Sequence, residues 1–176
     1  MTLNLIDKLL EAADQWRQMG FPSRQVLFDT ADRLERWKRE QPGFTTDDSG
    51  PTLLTATLDD AMGQGLDVIE RFADLMGCRV RRLGLLLPAE EIIDACHRLQ
   101  PDMLGATVLQ FDSEEELAHI SRHLPEKTFF IAGGPVFAPG DNFAQRCGIH
   151  AVARDAGAFI RLLAPRLAGG SADAVQ

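Results

Sequence analysis

From Pro51 onward the chain alternates short β-rich apolar runs with segments whose apolar residues recur every three or four positions. Strands are expected at residues 53–58 (LLTATL), 79–83 (RVRRL), 103–109, 128–132 (TFFIA) and 151–153. Between them the spacing predicts helices. The first, at 66–76, has Val68, Ile69, Phe72 and Leu75 on one face. The next, at 89–99, is opened by Pro88 and the Glu90–Glu91 pair, and another at 114–123 has Ser113 as its cap. A short helix near 142–147 and a last one at 156–167 complete the series. Strands that alternate with helices pair in parallel, because each parallel pair needs a crossover, and both sheet faces are then covered. Right-handed crossovers reduce the choice to an α/β fold with a flavodoxin-like, doubly wound, five-stranded parallel sheet. Ligands of such sheets sit beyond the carboxyl ends of the strands, near the switch in strand order. Here those ends lead into the segments after Leu58, Leu83, Leu109 and Ala132.

Residues 1–45 follow a different pattern, that of a helical hairpin. Leu3, Ile6, Leu9, Leu10, Ala13 and Trp16 share one helix face, and Gly20 ends that helix. Ser23 is the N-cap expected for a second helix, whose stripe is Leu27, Thr30, Ala31, Leu34 and Trp37. Residues 41–51 (QPGFTTDDSGP) have the chemistry of a linker. The organisation expected is therefore a hairpin over 1–45, an α/β domain over 52–167 and a flexible tail over 168–176. Two helices cannot make a core alone, so their stripes need the α/β domain, a ligand or a second copy of the chain, the last as a homodimer through these helices.

With 45% apolar and 25% charged residues, 176 residues suffice for a globular domain without disulfides. The longest apolar stretch, around residues 83–89, is too short to span a bilayer, and the first ten residues do not form a secretory signal. Three cysteines, Cys78, Cys96 and Cys147, include no C-x-x-C pair, which favours a reducing, cytoplasmic setting; Cys147, before Gly148, is the one read as exposed. A net charge of −8 argues against nucleic acid as a partner, and membranes are excluded with it.

The loops after the strands carry the informative residues. After the first strand comes Asp59-Asp60-Ala61-Met62-Gly63-Gln64-Gly65, and after the second Gly84-Leu85-Leu86-Leu87-Pro88. The third strand runs through Thr107, Val108 and Leu109, and the fourth is followed by Gly133-Gly134-Pro135. The glycines let backbone approach a ligand closely. There is no G-x-G-x-x-G and no P-loop lysine, and the acidic pair would repel a phosphate.

In order and spacing, D-A-M-G-Q-G (residues 60–65), LPAEEI (87–92), QPDMLG (100–105), T-V-L (107–109) and G-G (133–134) resemble the cobalamin-binding domain of corrinoid methyl carriers and cobalamin-dependent methionine synthase. That family has D-x-H-x-x-G after its first strand, a VPAE-like turn, S-x-L at its third strand and G-G after its fourth. The resemblance spans about residues 53–163. It implies a cobalamin cofactor, with Asp60, Met62, Gly63, Gly65, Thr107, Leu109, Gly133 and Gly134 as the residues that hold it. It also implies a partner, such as a methyltransferase or a signalling protein, because the domain is not a complete enzyme alone. The helical hairpin would correspond to a reduced form of the family's helical cap, with Trp16, Trp37 or Phe44 over the upper cobalt face.

Met62 stands where the family has its cobalt-ligating histidine. A thioether is a soft, neutral donor and cannot pass a proton to Asp60. Thr107 in place of serine keeps the hydroxyl. Elsewhere, His119 and His123 have the i, i+4 spacing of a zinc pair but no third ligand nearby, and no catalytic constellation stands out, so neither a metal site nor a catalytic residue is assigned. Asp59 and Asp60 read as turn residues.

Three functions follow from this pattern. The first is a corrinoid carrier or accessory protein of a methyl-transfer system that binds without the usual histidine. The second is a sensor of the same fold that takes haem or another tetrapyrrole. The third is an interaction module with no cofactor. The missing histidine favours the last two, whereas Asp60, Gly65, Thr107 and Gly133-Gly134 favour retained binding, and corrinoid binding is the reading taken forward.

Overall fold

The computed structural model describes residues 4–42, 49–137 and 142–169. Five parallel strands, β1 (Thr52–Thr57), β2 (Arg79–Gly84), β3 (Met103–Thr107), β4 (Phe129–Gly133) and β5 (Ala151–Val152), form one sheet in the order β2-β1-β3-β4-β5. This is the doubly wound order expected from the alternation. The connecting helices are α3 (Gln64–Leu75), α4 (Ala89–Leu99), α5 (Glu114–His123) and the single turn α6 (Phe143–Arg146), and α7 (Ala156–Gly169) follows β5. Ahead of them stand α1 (Leu5–Met19) and α2 (Arg24–Arg39).

Alternate residues of each strand point to opposite sheet faces, which gives two cores. Leu54, Ala56, Leu104, Ala106, Phe130 and Ala132 meet α4, α5 and α6. Leu53, Met103 and Ile131 face the other way, onto α3 and α7 through Phe72, Phe159, Ile160 and Leu163. Strand β2 lies at the edge, and Arg79, Arg81 and Arg82 keep it exposed and charged, a protection against pairing with another sheet.

The hairpin adds a layer to the second core. An Asn4–Asp7 capping box starts α1, and Gly20, at φ 97°, stops it; Ser23 accepts from Val26 N–H to start α2. Leu9, Ala13, Ala31 and Leu34 are buried in the same cluster as Phe72 and Phe159, so the stripes of both helices are covered within the chain. Ion pairs fix α2 along α3. Arg71 bridges to Asp32 at 2.7 Å and to Glu35, Arg24 reaches Asp67, and Lys38 Nζ donates to Leu75 O at 3.0 Å. The helices run parallel, start beside start and end beside end. Arg82 holds Asp67 and Glu70 from β2, and its own pKa rises because of those hydrogen bonds.

Three details differ from the sequence expectation. Strand β3 ends at Thr107, because beyond Val108 the Leu109 N–H turns to the Asp59 carboxylate at 3.0 Å. Ser113 is not a side-chain cap for α5; it ends a 3-10 turn (Phe111–Ser113), and its hydroxyl donates to Asp59 at 2.9 Å. Helix α7 continues to Gly169, past the expected end at residue 167. Residues 43–48 of the expected linker and 170–176 of the expected tail lie outside the described residues.

Because Leu9 is fully buried in a core shared with α3 and α7, Leu9→Ala should cost about 2–5 kcal/mol in one cooperative urea transition. Two transitions, with the larger one unmoved, would mark the hairpin as a separate unit. The Arg71 hydrogen bond holds the Glu35 carboxyl below its ordinary range. A depressed folded pKa stabilises above the unfolded value, and that contribution disappears as pH falls through the folded one. The stability gap between the protein and Glu35→Gln should therefore shrink as pH is lowered through the acid range; a gap independent of pH would show that the pair contributes nothing.

Candidate functional site

At the carboxyl end of the sheet, the β1–α3 loop joins its neighbours through polar contacts. Asp59 accepts from Leu109 N–H, Gln110 N–H (2.9 Å) and the Ser113 hydroxyl, which fixes the segment after β3. Thr57 reaches the segment after β2: its hydroxyl accepts from Leu86 N–H at 3.0 Å and donates to Asp60 O, while its carbonyl accepts from Leu87 N–H at 2.8 Å. Leu86 is held in the left-handed region at φ 54° and stays exposed. That conformation costs a non-glycine residue about 1–2 kcal/mol, so the surroundings impose it. Asp60, 6% exposed, accepts from Met62 N–H at 2.8 Å in an Asx turn. The two carboxylates thus serve separate backbone segments.

Between the first turns of α3 and α7 the sheet leaves a cavity of about 640 Å³. Thr107 and Gly133, register partners on β3 and β4, lie in its lining. The flanks are Gly65, Val68 and Ile69 of α3 and Ala156, Gly157 and Phe159 of α7. The hairpin tip closes the outer side with Trp16, Phe21, Pro22 and Leu27, and Trp16 also packs edge-on against Phe72. Polar groups are few: Asp60, Gln64, Arg154, Asp155 and Thr107. Thr107 is 6% exposed, lines the cavity, and its hydroxyl has no hydrogen-bond partner among the described residues. A Cβ at Gly65 would lie 3.1 Å from that hydroxyl oxygen, so the glycine keeps it accessible.

Of the eight residues singled out from the sequence, all but Gly63 line this cavity. Gly63 instead starts α3 in the left-handed conformation, at φ 63°. Gly133 and Gly134 are also demanded by the chain itself. A Cβ at Gly133 would come within 2.5 Å of Ala153 O, and one at Gly134, at φ 127°, within 2.0 Å of Val108 O. Substitution of Gly134 would therefore disturb the backbone as well as any ligand. Met62 stands 70% exposed at the cavity mouth.

The sequence did not reveal the residues that α7 and the hairpin tip contribute, apart from Trp16, because no local pattern places them near β3. The hairpin lies against α3 and α7, and its tip lines the same cavity as Thr107, Gly133 and Gly134 at the strand ends. Trp37 is near the far end of α2, beneath the Lys8 ammonium, away from the cavity, and Phe44 lies outside the described residues.

Every large apolar side chain found exposed among the described residues belongs to the same end of the molecule. Met62, Leu86, Leu109 and Phe111 are on the loops after β1, β2 and β3; Met19, Phe21 and Val26 are at the hairpin tip. No histidine or cysteine lines the cavity. The four histidines lie elsewhere: His97, His119 and His123 on α4 and α5, with His119 bound to Glu90 at 2.6 Å, and His150 just before β5, where it accepts from Phe130 N–H. Among the described residues no three His, Cys, Asp or Glu side chains are grouped to hold a metal ion. Cys147 is buried, contrary to the sequence expectation, and burial pushes its thiol up to about 11, as it does Cys96 to about 11 and Cys78 to about 12.

No family model and no curated protein matches the chain. Solved structures do. A cobalamin-binding protein from Desulfitobacterium hafniense DCB-2 superposes with a TM-score of 0.74 at 16% identity, over 90% of this chain and 79% of that one. The methanol:cobalamin methyltransferase complex of Methanosarcina barkeri matches with a TM-score of 0.65 at 21% identity, over 94% and 67%. The monomethylamine corrinoid protein of the same organism matches with 0.59 at 12%, over 93% and 80%. At these identities the likeness establishes a shared fold, hairpin region included. No helix among the described residues is long and apolar enough to cross a membrane.

Since Asp59 satisfies three donors across the site, Asp59→Ala should cost about 1–3 kcal/mol and speed amide exchange at Leu109 and Gln110. Unchanged exchange at both amides would show that the loop is held by other contacts.

Proposed function

We propose that this chain binds a corrinoid, with the nucleotide tail in the cavity between α3 and α7 and the flat macrocycle over the exposed loop ends. The observation that carries this reading is the unpartnered Thr107 hydroxyl, facing a largely apolar cavity at the switch in strand order. A volume of about 640 Å³ is in the range of roughly 300–1,000 Å³ that encloses a small organic ligand. It suits a nucleotide-sized moiety better than a whole macrocycle. Met62, Leu86 and Leu109 then give the ring an apolar surface, which accounts for the exposure of these three large side chains. The fold shared with cobalamin-binding proteins supports the same reading.

The residues present fit the tail but offer the cobalt no nitrogen donor. Met62 takes the place of the ligating histidine of the resembling family, and its N–H is committed to Asp60. Retention then depends on the cavity. A bound corrinoid supplies a cobalt that accepts and gives up a methyl group, while the chain binds and orients it and leaves substrate activation to a partner. On this reading the protein is the carrier or accessory component of a methyl-transfer system, and a methyltransferase is the partner.

The test is an absorbance spectrum of the protein mixed with hydroxocobalamin or haemin and then desalted. A retained corrinoid with the spectrum of cobalt lacking a nitrogen base is expected. Met62→His, which places an imidazole beside Asp60, should shift that spectrum to the nitrogen-ligated form, and Met62→Ala should leave it unchanged. Retention of haemin alone would overturn the corrinoid reading in favour of a haem sensor, and no retained chromophore on folded protein would overturn it in favour of an interaction module.

A further inference from the structure

Most of the cavity wall belongs to the sheet, α3 and α7, but its outer side belongs to the hairpin. Trp16 at the end of α1, Phe21 and Pro22 in the turn and Leu27 in α2 are apolar apart from the Trp16 indole N–H, and they line the cavity together with Val68 and Ile69 of α3. The ion pairs of Arg71 and Arg24 hold α2 along α3, so this wall is fixed in place.

We propose that the hairpin tip selects the chemical class of the corrinoid tail, admitting a benzimidazole base and rejecting a purine. The inference rests on the corrinoid reading and refines it. Once attached to its ribose, a benzimidazole has one free ring nitrogen, and the cavity offers one unspent side-chain hydroxyl, that of Thr107. An attached adenine has three free ring nitrogens and an amine, and against Trp16, Leu27, Val68 and Ile69 most of these would lose water without a new partner. The edge of a benzimidazole, by contrast, is hydrocarbon and gains from the same contacts. Of the other polar side chains of the lining, Asp60 accepts the Met62 N–H, and Gln64, Arg154 and Asp155 stand at the starts of α3 and α7, where the ribose and phosphate of either tail would lie.

The experiment compares dissociation constants of the full chain for benzimidazolyl cobamide, adeninyl cobamide and cobinamide, which has no nucleotide. Absorbance and quenching of Trp16 fluorescence serve as readouts, with Trp37→Phe as background to remove the distant tryptophan. The benzimidazole form should bind roughly tenfold or more tighter than the adenine form, since leaving polar atoms unpaired costs at least that factor. Leu27→Gln, which puts an amide into a half-buried position of the wall, should narrow the gap by weakening the first and strengthening the second. Trp16→His provides a second, independent wall change with the same expected direction. Equal affinity for the two bases in the unmodified protein overturns the proposal, as does a gap that neither wall variant alters. Tight binding of cobinamide equal to that of both cobamides overturns it too, because the tail would then be outside the cavity, and of the reading above only corrinoid binding itself would stand. Failure to bind all three overturns both.

Discussion

The site exists because β1 and β5 send their following helices to one face of the sheet while β2, β3 and β4 send theirs to the other. Over the carboxyl ends of β3 and β4, that first face has no helix of its own. It is reached only from the flanks, by the starts of α3 and α7, and the strands present a threonine and a glycine there. Right-handed crossovers put α3 on one face and α4, α5 and α6 on the other in a 2-1-3-4-5 sheet, and α7, which makes no crossover, joins α3 through the core they share. The hairpin turns an open crevice into a walled cavity, since α1 and α2 bury their stripes on the helices that flank it and so bring their connecting turn to its mouth.

The β1–α3 loop shows how an acidic pair can be structural at a ligand-binding end. A carboxylate beside a strand end would repel phosphate if it faced the cavity uncompensated. Asp59 instead accepts three hydrogen bonds from the segment after β3, and Asp60 accepts the Met62 N–H. Together with Thr57, which reaches the loop after β2, these contacts join three loops into one rigid surface. That rigidity allows Leu86 to be kept exposed in a left-handed conformation, and it sets the large apolar side chains of this end in place before any ligand arrives.

The strands and helices of the α/β part were legible because each is specified by local periodicity, and the sheet order followed from chirality. The same holds for the Gly20 and Ser23 helix boundaries, where caps act over a few residues, whereas the Asn4–Asp7 capping box that starts α1 was not read from the sequence. What local pattern missed are contacts across the fold. Asp59 and Ser113 are 54 positions apart, so Ser113 read as a helix cap when its hydroxyl was already taken. Leu27 and Phe159 meet at the cavity although each reads as ordinary core in its own helix. Gly133 and Gly134 were legible as close-approach positions, but the approaching atoms are the carbonyl oxygens of Ala153 and Val108, protein backbone in both cases.

On the corrinoid reading proposed above, holding the cofactor and ligating its cobalt are separable tasks, and the residues of this chain would serve the first. The cavity, the Thr107 hydroxyl and the apolar loop ends would act on the tail and on the faces of the ring, so their contribution would not depend on the metal's oxidation state. An axial nitrogen acts on the metal itself and tunes its electronics. With Met62 exposed at the position where the resembling family has an imidazole, and no histidine at this end of the sheet, that tuning is absent from the chain's own residues. Binding strength and metal reactivity would thereby be uncoupled. Changes to the wall residues move affinity, and a donor placed at position 62 moves the spectrum. A chain of this design can retain the cofactor through a change in the cobalt's ligand set and leave the choice of that set to a partner docked over the loop ends.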